Sequence, residues 1–262
     1  MEERDIVIGN KSYKLSSDGE HISAIGNIYE PEMCKLFSCV VQPHHSVLDI
    51  GANIGCTTIL FGQIAKDVTA FEPSPTTYGY LTKNIDASGL TNAQALNFAL
   101  GDEEFETTLT YWPTDRGGAF LSDKTKASEG HIVEPVSVKI GDKLLDGRPI
   151  DFIKIDTEGF ELHVLRGLQK TIETSRPILV TEMNHWCLNA FQRVSIPEFI
   201  DYLSDTFPIV YAVNGMKYLD LHNHHQRYVA MHRHIMQFQY PNVLAAFDPD
   251  QVASFLENYT NG

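Results

Sequence analysis

From Ser46 to about Met183 short apolar runs alternate with stretches whose apolar residues recur every three or four positions. This is the pattern of βαβ units feeding a parallel sheet. The runs predict strands at Val47–Ile50, Val68–Phe71, Ala95–Phe98, Phe152–Ile155 and Ile178–Thr181, with helices over about 54–65, 76–88 and 160–173. In the last of these, Leu162, Leu165, Leu168 and Ile172 fall on one helical face. Ahead of the sheet, Pro31 opens a stripe of Met33, Leu36, Phe37, Val40 and Val41, which reads as a brace helix. Alternation over Asp5–Leu15 about Gly9-Asn10 predicts a hairpin lying outside the main core. The pattern breaks between Gly101 and Gly147, where Thr107–Trp112 and Pro135–Ile140 alternate around a polar stretch at Arg116–Gly130. That predicts an inserted hairpin with a mobile tip.

Beyond the sheet, Ser195-Ile196-Pro197-Glu198 forms a capping box opening another helix. Strand candidates follow at Ile209–Val213 and Arg227–Met231, and a second cap at Asp248 starts a final helix carrying Val252, Phe255 and Leu256. The expected organisation is an N-terminal hairpin and brace helix over 1–45, one domain over 46–240 with its insertion at about 101–147, and a helical tail over 241–262. The fold class is α/β, a doubly wound, mostly parallel, Rossmann-like sheet with a hairpin insertion.

Composition narrows the partners. Of 262 residues 43% are hydrophobic and 21% charged, so disorder and coiled coil are excluded as the main state. Twenty basic against 34 acidic residues give a net charge of −14, a field that repels nucleic-acid backbones and anionic membranes. Neither is an expected partner. Cys34, Cys39, Cys56 and Cys187 include no CxxC pair and suit a reducing compartment. With no stretch approaching 18 apolar residues and no signal-peptide core, the expectation is a cytoplasmic protein.

The strongest chemical signal is Val47-Leu48-Asp49-Ile50-Gly51-Ala52-Asn53-Ile54-Gly55, a strand running through a glycine turn into a helix. Such a turn lets backbone approach a ligand at the carboxyl edge of a parallel sheet. It is neither G-x-G-x-x-G nor a P-loop, which disfavours pyrophosphate and triphosphate. Asp49 would repel phosphate and attract an amino group. Glu72 closes the next strand 23 residues later, near the offset at which an acid binds ribose hydroxyls. A cation plus a ribose diol without phosphate describes S-adenosylmethionine. Each piece alone has a plainer reading: glycine turns follow many strands, and an acid at a strand end is often a helix cap.

Four segments together resemble class I S-adenosylmethionine-dependent methyltransferases of the FkbM type: V-L-D-I-G-A-N-I-G at 47–55, F-E-P at 71–73, N-x-A-L-G at 97–101, and D-F-I-K-I-D-T-E-G-F-E-L-H-V-L-R-G at 151–167. The similarity spans about residues 29–183. It implies that Gly51, Asn53 and Gly55 form the loop under the methionine moiety, that Asp49 reaches its amino group directly or through water, and that Glu72 takes the ribose. Pro73 and Ser74 would shape the adenosine wall, and Asn97–Leu100, including Ala99, would hold the adenine; Asn97 could equally be a turn residue. Tyr29 and Glu30 resemble the family's entry segment and would close over the cofactor. The implied activity is O-methylation of a hydroxyl on a small molecule, natural product or sugar, with S-adenosylhomocysteine as product. The alternatives are a cofactor-binding module without turnover, a protein using another nucleotide, and a nucleic-acid or protein methyltransferase.

At the rim beyond the fourth strand, Asp156 reads as a cofactor or metal contact and Glu158 as a base or substrate orienter, or as an acid favoured by a helix dipole. Glu182 and His185 follow the fifth strand, and the catalytic base is a choice among Asp156, Glu158, Glu182 and His185. Lys154, inside an apolar strand, must reach an acid or the sheet rim. Among His222, His224, His225, His232 and His234, the last two would share a strand face as a metal pair could, but their spacing matches no compact zinc pattern. A divalent metal is therefore possible but unsupported, and no metal ligands are assigned. Tyr111, Trp112 and Phe120 either line an acceptor pocket or pack the hairpin.

Overall fold

The computed structural model describes residues 1–262. Its centre is a nine-stranded sheet. The N-terminal strands β1 (Glu2–Ile8) and β2 (Lys11–Ser17) form a separate antiparallel ribbon, followed by α1 (Gly19–Ile25) and α2 (Pro31–Val40). The sheet then begins with β3 (Ser46–Ile50), α3 (Cys56–Ile64), β4 (Asp67–Phe71), α4 (Pro75–Ser88) and β5 (Ala93–Leu96). After β6 (Ala99–Gly101), β7 (Phe105–Trp112), β8 (Asp115–Leu121), β9 (Ile132–Ile140) and α5 (Gly141–Leu145), it resumes with β10 (Phe152–Ile155), α6 (Glu161–Gly167), α7 (Gln169–Ser175) and β11 (Ile178–Glu182). The remainder comprises α8 (His185–Cys187), α9 (Ile196–Thr206), β12 (Ile209–Asn214), β13 (Lys217–Asp220), α10 (His224–Gln237), β14 (Asn242–Ala246), α11 (Ala253–Asn258) and β15 (Thr260–Asn261).

The sheet order is β15-β13-β12-β14-β11-β10-β3-β4-β5. Strands β5, β4, β3, β10 and β11 run parallel, and β14 enters antiparallel between β11 and β12. The parallel strands are apolar on both faces because helices cover both. Alternate residues go to opposite cores: Val47, Phe152, Ile178 and Val180 pack with α2, α3 and α11, while Leu48, Ile153, Ile155 and Leu179 pack with α6, α7 and α9. This is the doubly wound, mostly parallel architecture expected from the chain.

Five local expectations change. The N-terminal hairpin is not outside the core: Ile6, Ile8 and Leu15 are fully buried with Phe37 and Phe61, and only its outer face alternates to solvent. The insertion is more than a hairpin with a mobile tip, since residues 115–121 are strand β8 in a four-stranded sheet of order β6-β9-β7-β8. The third strand ends at Leu96, and Ala99 already belongs to this second sheet, so the chain changes sheets at Asn97-Phe98. Arg227–Met231 is helical, within α10; the side chain of Asn223 accepts from the N–H groups of His225 and Gln226, starting a helix whose Ala230 and His234, four apart, face inward. Finally, the segment expected as a helical tail also supplies β14, whose residues Val243–Ala246 are fully buried in mid-sheet.

Candidate functional site

Strands β4 and β5 lie to one side of β3, and β10 and β11 to the other. This reversal opens a crevice at the carboxyl ends, the place where such sheets bind ligands. A cavity of about 400 Å³ occupies it, lined by the residues that follow β3, β4, β5 and β10 and by Glu182 at the end of β11. Its roof comes from the insertion and from the segment before the sheet.

The β3 turn is built for close approach. Gly51 has φ +77°, and a Cβ there would sit 1.8 Å from the carbonyl oxygen of Asp156. Asn53 and Gly55 also have positive φ, at 49° and 98°, which tucks the turn under the start of α3. Glu72 is 6% exposed and grips this turn: its Oε2 accepts from the N–H of Asn53 at 3.0 Å and its Oε1 from the N–H of Ser74 at 2.9 Å. Burial pushes the Glu72 carboxyl up to about 7 despite these two donors. Pro73, Phe98, Ala99 and Leu100 continue the wall, offering the apolar surface that an aromatic ring requires.

Three residues expected at the cofactor stand behind the wall. Asp49 is fully buried; its Oδ2 accepts from Thr57 and Thr58 at 2.8 and 2.6 Å, and its Oδ1 lies 3.5 Å from Nζ of Lys154. It braces the turn and does not line the cavity. Ser74 caps α4 by accepting from the N–H of Thr77 and donates to Glu134 of β9. Asn97 donates to the carbonyls of Glu72 and Pro73 at 2.9 and 3.0 Å, the turn role that was its alternative. Lys154 meets its expectation: buried, it donates to the carbonyl of Gly51 at 2.9 Å and sits 3.5 Å from both Asp49 and Asp156. Burial opposes its charge, but Asp156 and Asp49 outweigh that and hold its pKa above the ordinary lysine value.

The rim acids converge. Asp156, Glu158 and Glu182 each offer a carboxylate oxygen, and these lie within 4.8 Å of one another. Glu158, in a left-handed backbone at φ 51°, accepts from the Cys187 thiol at 3.1 Å. Burial and the nearby Asp156 push its pKa up to about 8. Glu182 goes well above the ordinary range for the same two reasons, and its buried Oε2 has no hydrogen-bond partner. Three carboxyls this close either share protons or share a cation. Glu161, missed in the sequence, holds the loop that presents them: its Oε1 accepts from the N–H groups of Thr157 and Gly159 at 2.9 and 3.1 Å.

The roof was likewise hidden from local pattern. His21 of α1 lines the cavity, its Nε2 paired with Oδ1 of Asn53 at 3.1 Å, and burial lowers its pKa. Arg116 of β8 bonds Asp18 and donates to the Tyr111 hydroxyl, which donates in turn to Glu134 at 3.0 Å. This chain ties α1, the second sheet and the β4 turn together over the cavity. Tyr29 and Glu30, which the family resemblance sets over the cofactor, line the cavity too.

Other candidates lie elsewhere. His185 does not line the cavity; its backbone N–H donates to Nε2 of His234 at 3.2 Å, and its ring packs edge-on against that histidine. His232 and His234 sit two apart on a helix, hence on different faces, which removes the metal-pair reading. His234 is fully buried and its pKa falls to about 4. Tyr111, Trp112 and Phe120 pack the insertion: Phe120 stacks on Phe191 at 3.9 Å and Trp112 lies 4.1 Å from the His131 ring. No helix is long and apolar enough to cross a membrane.

The model of the methyltransferase FkbM domain matches residues 49–238. Methyltransferase 1 of Beauveria bassiana is 31% identical over 47% of this chain and 57% of its own length. Methyltransferase sdnD of Sordaria araneosa is 30% identical over 47% and 60%. The hexuronic acid methyltransferase AglP of Haloferax volcanii is 29% identical over 58% and 61%. The chain thus spans less than two thirds of each of these relatives.

Proposed function

Because the chain belongs to the methyltransferase FkbM family, we propose that it transfers a methyl group from S-adenosylmethionine to a hydroxyl of a small molecule or sugar. The observation that carries this reading is the pairing, in one cavity, of Glu72 on the glycine turn with the acid cluster at the rim. When bound, the cofactor supplies an electrophilic methyl on a sulfonium. The residues present fit it: Glu72, already oriented by two backbone N–H groups, would accept from the ribose hydroxyls, and Phe98–Leu100 would cover the adenine. Glu30, which lines the cavity where the buried Asp49 does not, would take the amino group.

Displacement at a methyl carbon leaves the protein mainly positioning and water exclusion. The roof of α1 and β8 supplies the exclusion. A hydroxyl nucleophile must also lose a proton, and the Asp156, Glu158 and Glu182 cluster would take it. With Glu158 near 8, its base form grows as pH rises through that value, so the rate should climb between pH 7 and 9. The −14 charge favours a small acceptor over nucleic acid.

The direct test is transfer of a radiolabelled methyl from S-adenosylmethionine to a panel of hydroxylated small molecules. Label in an alkali-stable methyl ether is expected. Bound cofactor without any transfer would favour the silent module, and label in protein or nucleic acid would contradict the acceptor class.

A further inference from the structure

Beside the main cavity lies a second chamber of about 210 Å³, between α2, the ends of β10 and β11, and the start of β14. Tyr29, Glu30, Thr57, Lys154, Asp156 and Glu182 belong to both walls and so form the partition between them. The far side is different in character: Met33 and Phe37 of α2, Val180, Phe238 and Pro241 are apolar, with Asn242 as a polar group among them. Phe238 is 46% exposed, held by the left-handed end of α10 with φ 53°. Nothing in the proposed cofactor contacts calls for this space.

We propose that this chamber is the acceptor subsite and that it takes a single uncharged, hydroxyl-bearing ring of pyranose size. The inference rests on the methyltransferase reading. Size sets the first limit: pockets for drug-sized ligands begin at roughly 300 Å³, so this one suits one ring rather than a polycyclic product. Wall chemistry sets the second, because apolar side chains on one side and carboxylates on the other match a ring with a C–H face and a hydroxyl edge. Charge sets the third. The partition holds three carboxyls and one ammonium, and that ammonium is already matched by Asp49 and Asp156. An anionic sugar would find no free cation to receive its carboxylate, because the one ammonium of the partition is already paired. An acceptor seated there presents its hydroxyl edge to Asp156 and Glu182, members of the rim cluster that also faces the main cavity.

Ligand-observed saturation-transfer NMR on protein loaded with S-adenosylhomocysteine tests this, using methyl β-D-glucopyranoside and methyl β-D-glucuronide as probes. Transfer to the neutral glucoside should exceed that to the glucuronide by at least about tenfold, since the glucuronide carboxylate would be desolvated with no cation to pair with it. Met33→Trp, which fills the chamber, and Phe238→Ala, which removes its exposed face, should each abolish the signal while the S-adenosylhomocysteine Kd stays within about twofold. Should Met33→Trp fail to fold, Phe238→Ala decides alone, because that side chain is half out of the core. No transfer to the glucoside, a signal that survives both substitutions, or an equal signal from the glucuronide would overturn the proposal. Failure of the wild-type protein to bind S-adenosylhomocysteine would instead remove the methyltransferase reading beneath it.

Discussion

Glu72 and Glu182 end two parallel strands of one sheet, at the same edge and against the same cavity, yet their surroundings are opposite. Both carboxylate oxygens of Glu72 accept from backbone N–H groups, which fixes the side chain before any ligand arrives. The carboxylate of Glu182 meets two other acids and leaves a buried oxygen without a partner. One half of the cavity is thus pre-organised to hold neutral hydroxyls, and the other stores an unsatisfied charge that a ligand or a proton must relieve. On the proposed function, binding and chemistry would be divided between the two sides of β3 and β10.

The largest effect should come from the unsatisfied side. Asp156→Asn should lower kcat by about 100-fold or more, the range for losing a general base, with the affinity for S-adenosylhomocysteine changed far less. Steady-state rates alongside calorimetry check this, and a pure affinity loss would move Asp156 to the cofactor side. Glu72→Ala should do the reverse. Two hydrogen bonds to a charged group at about 1.5 kcal/mol each amount to roughly 100-fold in Kd.

The stored charge should also appear in stability. Glu158 has a folded pKa of about 8 against an ordinary 4.5, and Glu182 is raised as well. Raised carboxyls favour the protonated folded state, so their contribution is whole below pH 4.5 and is lost as pH rises through about 8. Melting temperature should fall across that window, and Glu158→Gln or Glu182→Gln should flatten the fall; an unchanged profile would mean that the acids are not mutually frustrated. The smallest effect is expected at Ser74→Ala, which removes a helix cap worth about 1 kcal/mol. That corresponds to roughly 2–4 °C in Tm. Cofactor affinity should stay nearly constant, which separates a brace from a wall residue.

The same division decides what could be read from the sequence. The glycine turn at 51–55, Glu72 and the acids at 156 and 158 were legible because a strand, its turn and the next helix are contiguous, so strand-end chemistry is local. The roof was not legible: Arg116 reaches Asp18 across 98 positions and Tyr111 reaches Glu134 from a neighbouring strand, pairings that no short window contains. Asp49 shows a subtler failure. Its position at the end of a strand suggested a ligand contact, but it is fully buried, and Thr57 and Thr58 in the first turn of α3 hold its Oδ2 from behind. His232 and His234 misled for the opposite reason, since a strand period was read where Asn223 starts a helix. Strand β14 escaped because its antiparallel place between β11 and β12 is set by tertiary packing of a short apolar run.

Calorimetric titration with S-adenosylhomocysteine of the wild-type protein, Glu72→Ala and Glu182→Gln tests the division most directly. The expected result is wild-type binding in the micromolar range, a loss of about 100-fold for Glu72→Ala, and a change within about threefold for Glu182→Gln. Absence of wild-type binding, or equal losses in the two variants, would contradict a cavity in which one edge acid holds the cofactor and the other serves the chemistry.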